Sequence, residues 1–77
     1  MARYEFACVV GTEVVETGEA REFGHVEDAR AEARALLGTL AAQVLRTRDI
    51  DMISVEIFDE VKAPIVELRL VFEEIPK

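Results

Sequence analysis

The chain has 77 residues, which is enough for a single domain, and we expect that domain to span residues 1–77. Its formal net charge of −7 would repel a phosphate backbone or an anionic lipid surface, so nucleic acids and membranes are poor candidate partners. With 51% hydrophobic and 32% charged residues, the composition is that of a globular protein rather than a disordered one.

A chain this short has a small core and little stability to spare. Domains of this size bury only roughly 60% of their unfolded surface, which leaves a margin of about 3–5 kcal/mol. Cys8 is the only cysteine, so a disulfide within the chain is excluded. A second subunit is the remaining support, and we therefore keep a homodimer as a hypothesis.

The first two predicted elements form a β-hairpin. Apolar and mixed residues alternate from Arg3 to Val10, which predicts a strand with one strongly apolar face. The residues of that face are Tyr4, Phe6, Cys8 and Val10. Gly11-Thr12-Glu13 predicts a turn, and Val14 begins a second strand that weakens at Thr17-Gly18-Glu19. Phe23 is the last expected inward residue of that strand.

One amphipathic helix is predicted over about residues 26–46. Apolar residues recur at spacings of three and four and form one stripe. They are Val26, Ala29, Ala33, Leu37, Leu40 and Val44. His25 is the expected N-cap, and Asp28 is placed to return a hydrogen bond as in a capping box.

Two more strands follow the helix. Ile53, Val55 and Ile57 alternate with polar or outward residues and predict a third strand. A turn over residues 59–64 leads to a fourth strand, in which Val66, Leu68, Leu70 and Phe72 face inward. The predicted fold is α+β with the order β-β-α-β-β, a four-stranded, mainly antiparallel sheet with one helix packed on one face. We favour the strand order 2-1-3-4 and leave 2-1-4-3 open.

Several segments resemble a family of small uncharacterised bacterial proteins, found mostly in α-proteobacteria. The segments that carry the resemblance are Arg3-Tyr4-Glu5-Phe6, Glu22-Phe23, Ala29-Arg30-Ala31-Glu32-Ala33, Val55-Glu56-Ile57-Phe58-Asp59-Glu60 and Leu68-Arg69-Leu70-Val71-Phe72-Glu73. Members often carry Asp-Gly in the first hairpin and Gly in the last turn, where this chain has Gly11-Thr12-Glu13 and Val61-Lys62. The resemblance implies a domain of unknown function and assigns no role to any residue.

No residue pattern indicates catalysis, a cofactor or a metal. His25 has no predicted nucleophile or carboxylate beside it and is expected at the helix start. Cys8 lies on the apolar side of the first strand, where we expect core packing. The loop carboxylates Asp49, Asp51 and Asp59 lack the spacing of a calcium loop. The sequence therefore favours a non-enzymatic protein, with no catalytic residue, cofactor or metal ligand assigned.

The sheet face away from the helix is the surface that we expect to bind a partner. It carries apolar residues among charged ones, a pattern often found at protein interfaces. The residues predicted for this interface are Ala7, Val9, Phe58, Ile65 and Val71. A module that self-associates or binds a protein partner is the favoured function. The alternative is a protein that binds a small molecule or a divalent cation, with Asp49, Asp51 and Asp59 as its candidate residues, or an unrecognised enzyme.

A cytoplasmic location is expected from two features of the sequence. The longest nearly apolar stretch, residues 35–45, is too short to cross a bilayer, which needs about 20 residues. The N-terminal residues lack the apolar segment of a signal peptide.

Overall fold

The described part of the chain forms five strands and one helix. The computed structural model describes the backbone of residues 2–17 and 20–77, and the side chains of residues 2–15 and 20–77. The elements are β1 (Ala2–Val10), β2 (Glu13–Thr17), β3 (Arg21–Phe23), α1 (Val26–Thr47), β4 (Met52–Phe58) and β5 (Pro64–Val71). The predicted α+β class, with one helix packed against an antiparallel sheet, is confirmed.

The strands lie in the order β2-β1-β4-β5, and every pair is antiparallel. The predicted third and fourth strands correspond to β4 and β5, so this is the favoured order 2-1-3-4. The alternative order 2-1-4-3, which would place β5 beside β1, is wrong. β1 forms a hairpin with β2, and β4 forms a hairpin with β5. β1 and β4 are central because the two hairpins pair with each other through these strands. β5 lies at one edge of the sheet.

The prediction of four strands was wrong in one respect, because the second strand is divided into β2 and β3. Both pair with β1, β2 with its C-terminal half and β3 with residues 2–4. Val9 pairs with Val14 whereas Cys8 pairs with Glu16, which leaves Val15 as an inserted residue. Such a bulge bends the strand and increases its twist. The weak point predicted at Gly18 and Glu19 lies outside the described residues.

The core lies between α1 and the two central strands. Ala29 and Ala33 of α1 are fully buried, and they pack with Val55 and Ile57 of β4. Small helix residues let the helix approach the sheet closely. Burial of a side chain such as Val55 or Ile57 contributes about 1.5–3 kcal/mol to folding. The predicted stripe is confirmed, because Val44 is buried and Leu37 and Leu40 pack partly buried against the core.

Both ends of α1 lie within one residue of their predicted positions. His25 is the N-cap, and its carbonyl oxygen accepts a hydrogen bond of 3.0 Å from the Asp28 amide. The predicted capping box is wrong in its details, since no side-chain hydrogen bond caps this end in the described part of the chain. Glu27 and Asp28 place negative charge in the first turn, where the helix dipole favours it.

Two tight turns use the left-handed backbone conformation. Gly11 has a φ of 64° in the β1–β2 turn, and Lys62 has a φ of 63° in the β4–β5 turn. Asp59 organises the second turn, because its Oδ1 accepts hydrogen bonds from the Val61 and Ala63 amides at 3.0 and 2.9 Å. Glycine adopts this conformation without strain, whereas a residue with a Cβ atom costs about 1–2 kcal/mol.

Lys62 is therefore a position where glycine should stabilise the fold. We expect the free energy of unfolding of the Lys62→Gly variant to be about 1 kcal/mol higher than that of the Lys62→Ala variant. The reason is that alanine keeps a Cβ atom in the strained left-handed conformation, whereas glycine has none. Both variants lose the ion pair between Lys62 Nζ and Glu5, so their difference isolates the backbone effect. Urea denaturation measures it, and equal stability of the two variants would contradict the assignment of strain.

Candidate functional site

The sheet face away from α1 carries alternate residues of β1, β4 and β5. Its central row is Ala7, Glu56 and Glu67, which are neighbours in the strand register. On one side of this row lie Val9, Ser54 and Arg69, and on the other lie Glu5 and Phe58. The face is therefore charged in its middle and more apolar towards its ends.

The five residues predicted for the interface do not form one continuous patch. Ala7 is 9% exposed, and Val9 and Phe58 are half-buried. Phe58 lies opposite Glu5, whereas Val9 lies opposite Ser54, with the charged central row between them. Ile65 and Val71 are exposed, at 42% and 63%, near opposite ends of β5. The structure thus places two of the five predicted residues on the edge strand.

Val9 lies near the end of the sheet where β1 turns into β2. It lies opposite Val14, which is 59% exposed. Nearby, Met52 of β4 lies opposite Val71 of β5. Val14 and Met52 were not among the predicted interface residues, although the pair Val14-Val15 in the sequence marks the end of β2 where the bulge occurs.

The helix side of β5 is less covered than the sequence predicts. Leu70 and Phe72 were expected to be inward residues, yet they are 42% and 43% exposed. Leu45 of α1 is also 42% exposed and lines a narrow cleft with them. In contrast, Ile53, which lies opposite Leu70 on β4, is only 3% exposed. On the helix side of the sheet, the apolar residue of β4 is therefore buried, whereas its neighbour on β5 is partly exposed.

The loop carboxylates of the alternative hypothesis are divided between the two ends of the sheet. Asp49 and Asp51 line a shallow cleft of about 430 Å³ together with Glu74. Asp59 follows the other end of β4, where its carboxylate accepts the turn hydrogen bonds described above. Among the side chains of residues 2–15 and 20–77, no group of three or more metal-binding residues is close enough to hold an ion.

The histidine is exposed, whereas the cysteine is buried. His25 is exposed at the N-cap of α1, as the sequence predicts. Cys8 is 5% exposed and packs in the core with Phe6 and Val55. Cys8 therefore occupies the packing position expected from the strand pattern.

One charged residue that the sequence analysis did not single out connects β3 to α1. The Arg21 guanidinium lies over the Phe6 and Phe23 rings, 5.3 and 5.7 Å from their centroids. Its Nη2 donates a hydrogen bond of 2.8 Å to Glu32 Oε2 of the helix. Phe6 and Phe23 meet edge to face at 5.9 Å. Arg21 thus holds the short strand β3 against the helix, which is a structural role.

Two variants separate the contributions of the Arg21 ring contacts and of its ion pair to the free energy of unfolding. We expect Arg21→Ala to lower the free energy of unfolding by about 1 kcal/mol, from an exposed cation–π contact and an exposed ion pair. Glu32→Gln removes only the ion pair, so its loss should be about half as large. Thermal and urea denaturation measure both values, and an Arg21→Ala protein as stable as the wild type would contradict this role.

In the described part of the chain, no helix has both the length and the apolar character needed to cross a membrane.

Comparison with known proteins gives one match. The family model of a domain of unknown function (DUF6894) matches residues 3–71. No curated protein and no solved structure matches the chain.

Proposed function

The chain belongs to the DUF6894 family of domains of unknown function, and from that premise we propose that it is a non-enzymatic protein-interaction module that forms a homodimer. The observation that carries this proposal is the uncovered apolar surface of β5. Leu70 is exposed on the helix side of this strand, Val71 is exposed on the opposite side, and Phe72, which directly follows the strand, is also exposed. Both sides of one edge strand therefore offer apolar area to a partner.

The size of the domain supports self-association. Its fully buried side chains are few and mostly small, with Val55 and Ile57 the largest among the described residues. A core of this kind leaves a narrow margin of stability. A second copy that covers β5 would bury more apolar area without a change of fold, and would stabilise the folded chain by mass action.

Charge supports a protein as the partner. The net charge of −7 opposes binding to nucleic acids and anionic lipids. Positive and negative side chains nevertheless lie close together near β5, as in the ion pairs of Arg69 with Glu67 and of Lys62 in the adjoining turn with Glu5. A reducing, cytoplasmic environment is part of the proposal, since a single buried cysteine is compatible with it.

The alternative, binding of a small molecule or a divalent cation, has less support. Its best location is the cleft at Asp49, Asp51 and Glu74, which is shallow and open. Asp59, the third residue of that hypothesis, lies at the other end of the sheet, so the three carboxylates cannot act together.

Self-association can be tested with a matched pair of variants. We expect the mass of the wild-type protein in light scattering to rise with concentration from 8.6 kDa towards twice that value. Val71→Glu should weaken the dimer about tenfold or more, because a buried valine contributes about 1.5–3 kcal/mol. Val61→Glu adds the same charge at a turn residue that is 81% exposed and should leave the dimer unchanged.

A wild-type chain that stays monomeric at millimolar concentration would contradict the proposed function. Equal weakening by Val71→Glu and Val61→Glu would show that net charge, rather than the uncovered surface of β5, controls association.

A further inference from the structure

The open edge of β5 presents a defined set of backbone groups. The Phe72 amide donates a hydrogen bond of 2.8 Å to the Asp51 carbonyl oxygen, on the β4 side. Because successive residues of a strand point their backbone groups to alternate sides, Leu70 and Leu68 also face β4 in the observed register. The amide and carbonyl groups of Glu67, Arg69 and Val71 therefore point away from β4, towards the open edge.

The side chains along this edge are self-complementary. From residue 65 to residue 71 the chain reads Ile-Val-Glu-Leu-Arg-Leu-Val. Leu68 lies at the centre, with Glu67 on one side and Arg69 on the other, and apolar residues follow in both directions. Arg69 Nε donates a hydrogen bond of 2.9 Å to Glu67 Oε2 within the strand, and both side chains are partly exposed.

Glu67 lies in an unfavourable position within one copy of the chain. In the β4–β5 register it is directly opposite Glu56. Like charges that face each other across a strand pair are destabilising by roughly 0.2–1 kcal/mol. On its other side, towards the open edge, no strand of the described residues pairs with β5. Arg69 of the same strand pairs with Glu67, and a second cation at the open edge would offset the repulsion further.

We propose that the partner at this edge is a second copy of the chain, paired antiparallel through β5 with Leu68 opposite the partner's Leu68. This inference rests on the proposed function and specifies its geometry. Glu67 then lies opposite the partner's Arg69, and Arg69 opposite the partner's Glu67. These two residues are also the ones whose backbone groups point outward, so each such pair exchanges both of its N–H···O bonds.

The same register joins apolar residues on the helix side of the sheet. Val66 comes opposite the partner's Leu70, and the two copies of Leu68 meet at the two-fold axis. On the opposite side of the sheet, the bulged position Ile65 comes near the partner's Val71, so the two exposed residues of the predicted interface that lie on β5 meet each other. Leu70, which is 42% exposed in one copy, gains an apolar neighbour.

The neighbouring registers are disfavoured by charge. A pairing centred on Glu67 brings two glutamates together, and one centred on Arg69 brings two arginines together. A pairing centred between two residues would set an outward-pointing residue opposite one that points to β4, so the backbone groups would not meet. Among the pairings centred on residues 67 to 69, the alternating charges thus favour the one centred on Leu68, as charged residues on edge strands select against wrong pairings.

The other edge of the sheet is less suited to such pairing. It is formed by β2 and β3, which are short and are interrupted by the bulge at Val15. Bulged and short strands pair poorly with another chain. β5 pairs with β4 in one continuous register from Val66 to Val71, and it is the longer straight edge.

Charge reversal at residues 67 and 69 tests the register. Glu67→Arg places two arginines on each edge and Arg69→Glu places two glutamates there, so each variant alone should dimerise roughly tenfold more weakly or worse. An equimolar mixture of the two variants should recover dimers, because arginines then face glutamates. The double variant Glu67→Arg/Arg69→Glu should dimerise with itself as the wild type does. Analytical ultracentrifugation measures each dissociation constant.

A matched control makes the same charge change at the opposite edge. Glu22→Arg in β3 alters net charge as Glu67→Arg does and should leave the dissociation constant unchanged. Circular dichroism confirms that each variant is folded. Wild-type dimers that neither single variant weakens would overturn the β5 pairing and leave self-association through another surface. A wild-type chain without dimers at any concentration would overturn the proposed function and this pairing together.

Discussion

A single helix cannot cover a four-strand-wide sheet, and the surfaces of this protein follow from that constraint. An α-helix with its side chains is about 10–12 Å wide, whereas neighbouring strands lie about 4.8 Å apart. One helix therefore covers about two strands. α1 lies mainly over β4, whose inward residues Ile53, Val55 and Ile57 are almost completely buried. β5 lies at the margin of the helix, so that Val66 and Leu68 pack half-buried against the core whereas Leu70 is 42% exposed.

This arrangement connects stability with function. The domain has a core built on small helix residues, Ala29 and Ala33, that allow close packing but add little volume. In the described part of the chain, exposed apolar area includes Ile65, Leu70 and Val71 of β5, so a second chain that covered this edge would add stability. The charge pattern of Glu67 and Arg69 would give such an association a single register, which a purely apolar edge could not do.

The sequence predicted the elements well because their patterns are strong. The helical stripe from Val26 to Val44 and the period of two in β1, β4 and β5 locate each element and the inward side of the central strands. The bulge at Val15 was missed because an inserted residue leaves apolar residues on both sides of it, so the strand appears continuous. Phe23 was correctly expected to pack inward, but its strand pairs with β1 separately from β2.

The candidate site could be predicted only in part, since it depends on tertiary geometry. The alternation identified Val71 and Ile65 as outward residues, and both are exposed. It could not show that Leu70 and Phe72 lie beyond the helix, because inward residues of central and edge strands have the same period. The contact of Arg21 with Glu32 depends on how the helix is rotated against β3, which no local pattern encodes.

The central claim is that α1 covers β4 fully and β5 only in part, and a pair of truncations tests it most directly. Ile57→Ala and Leu70→Ala are compared by urea denaturation at a concentration at which the chain is monomeric. We predict that Ile57→Ala lowers the free energy of unfolding by about 2–5 kcal/mol, as for a buried core residue. Leu70→Ala should lower it by less than about half as much, because this side chain is already 42% exposed. Equal losses would contradict the account, since they would mean that the helix covers the edge strand as fully as the centre of the sheet.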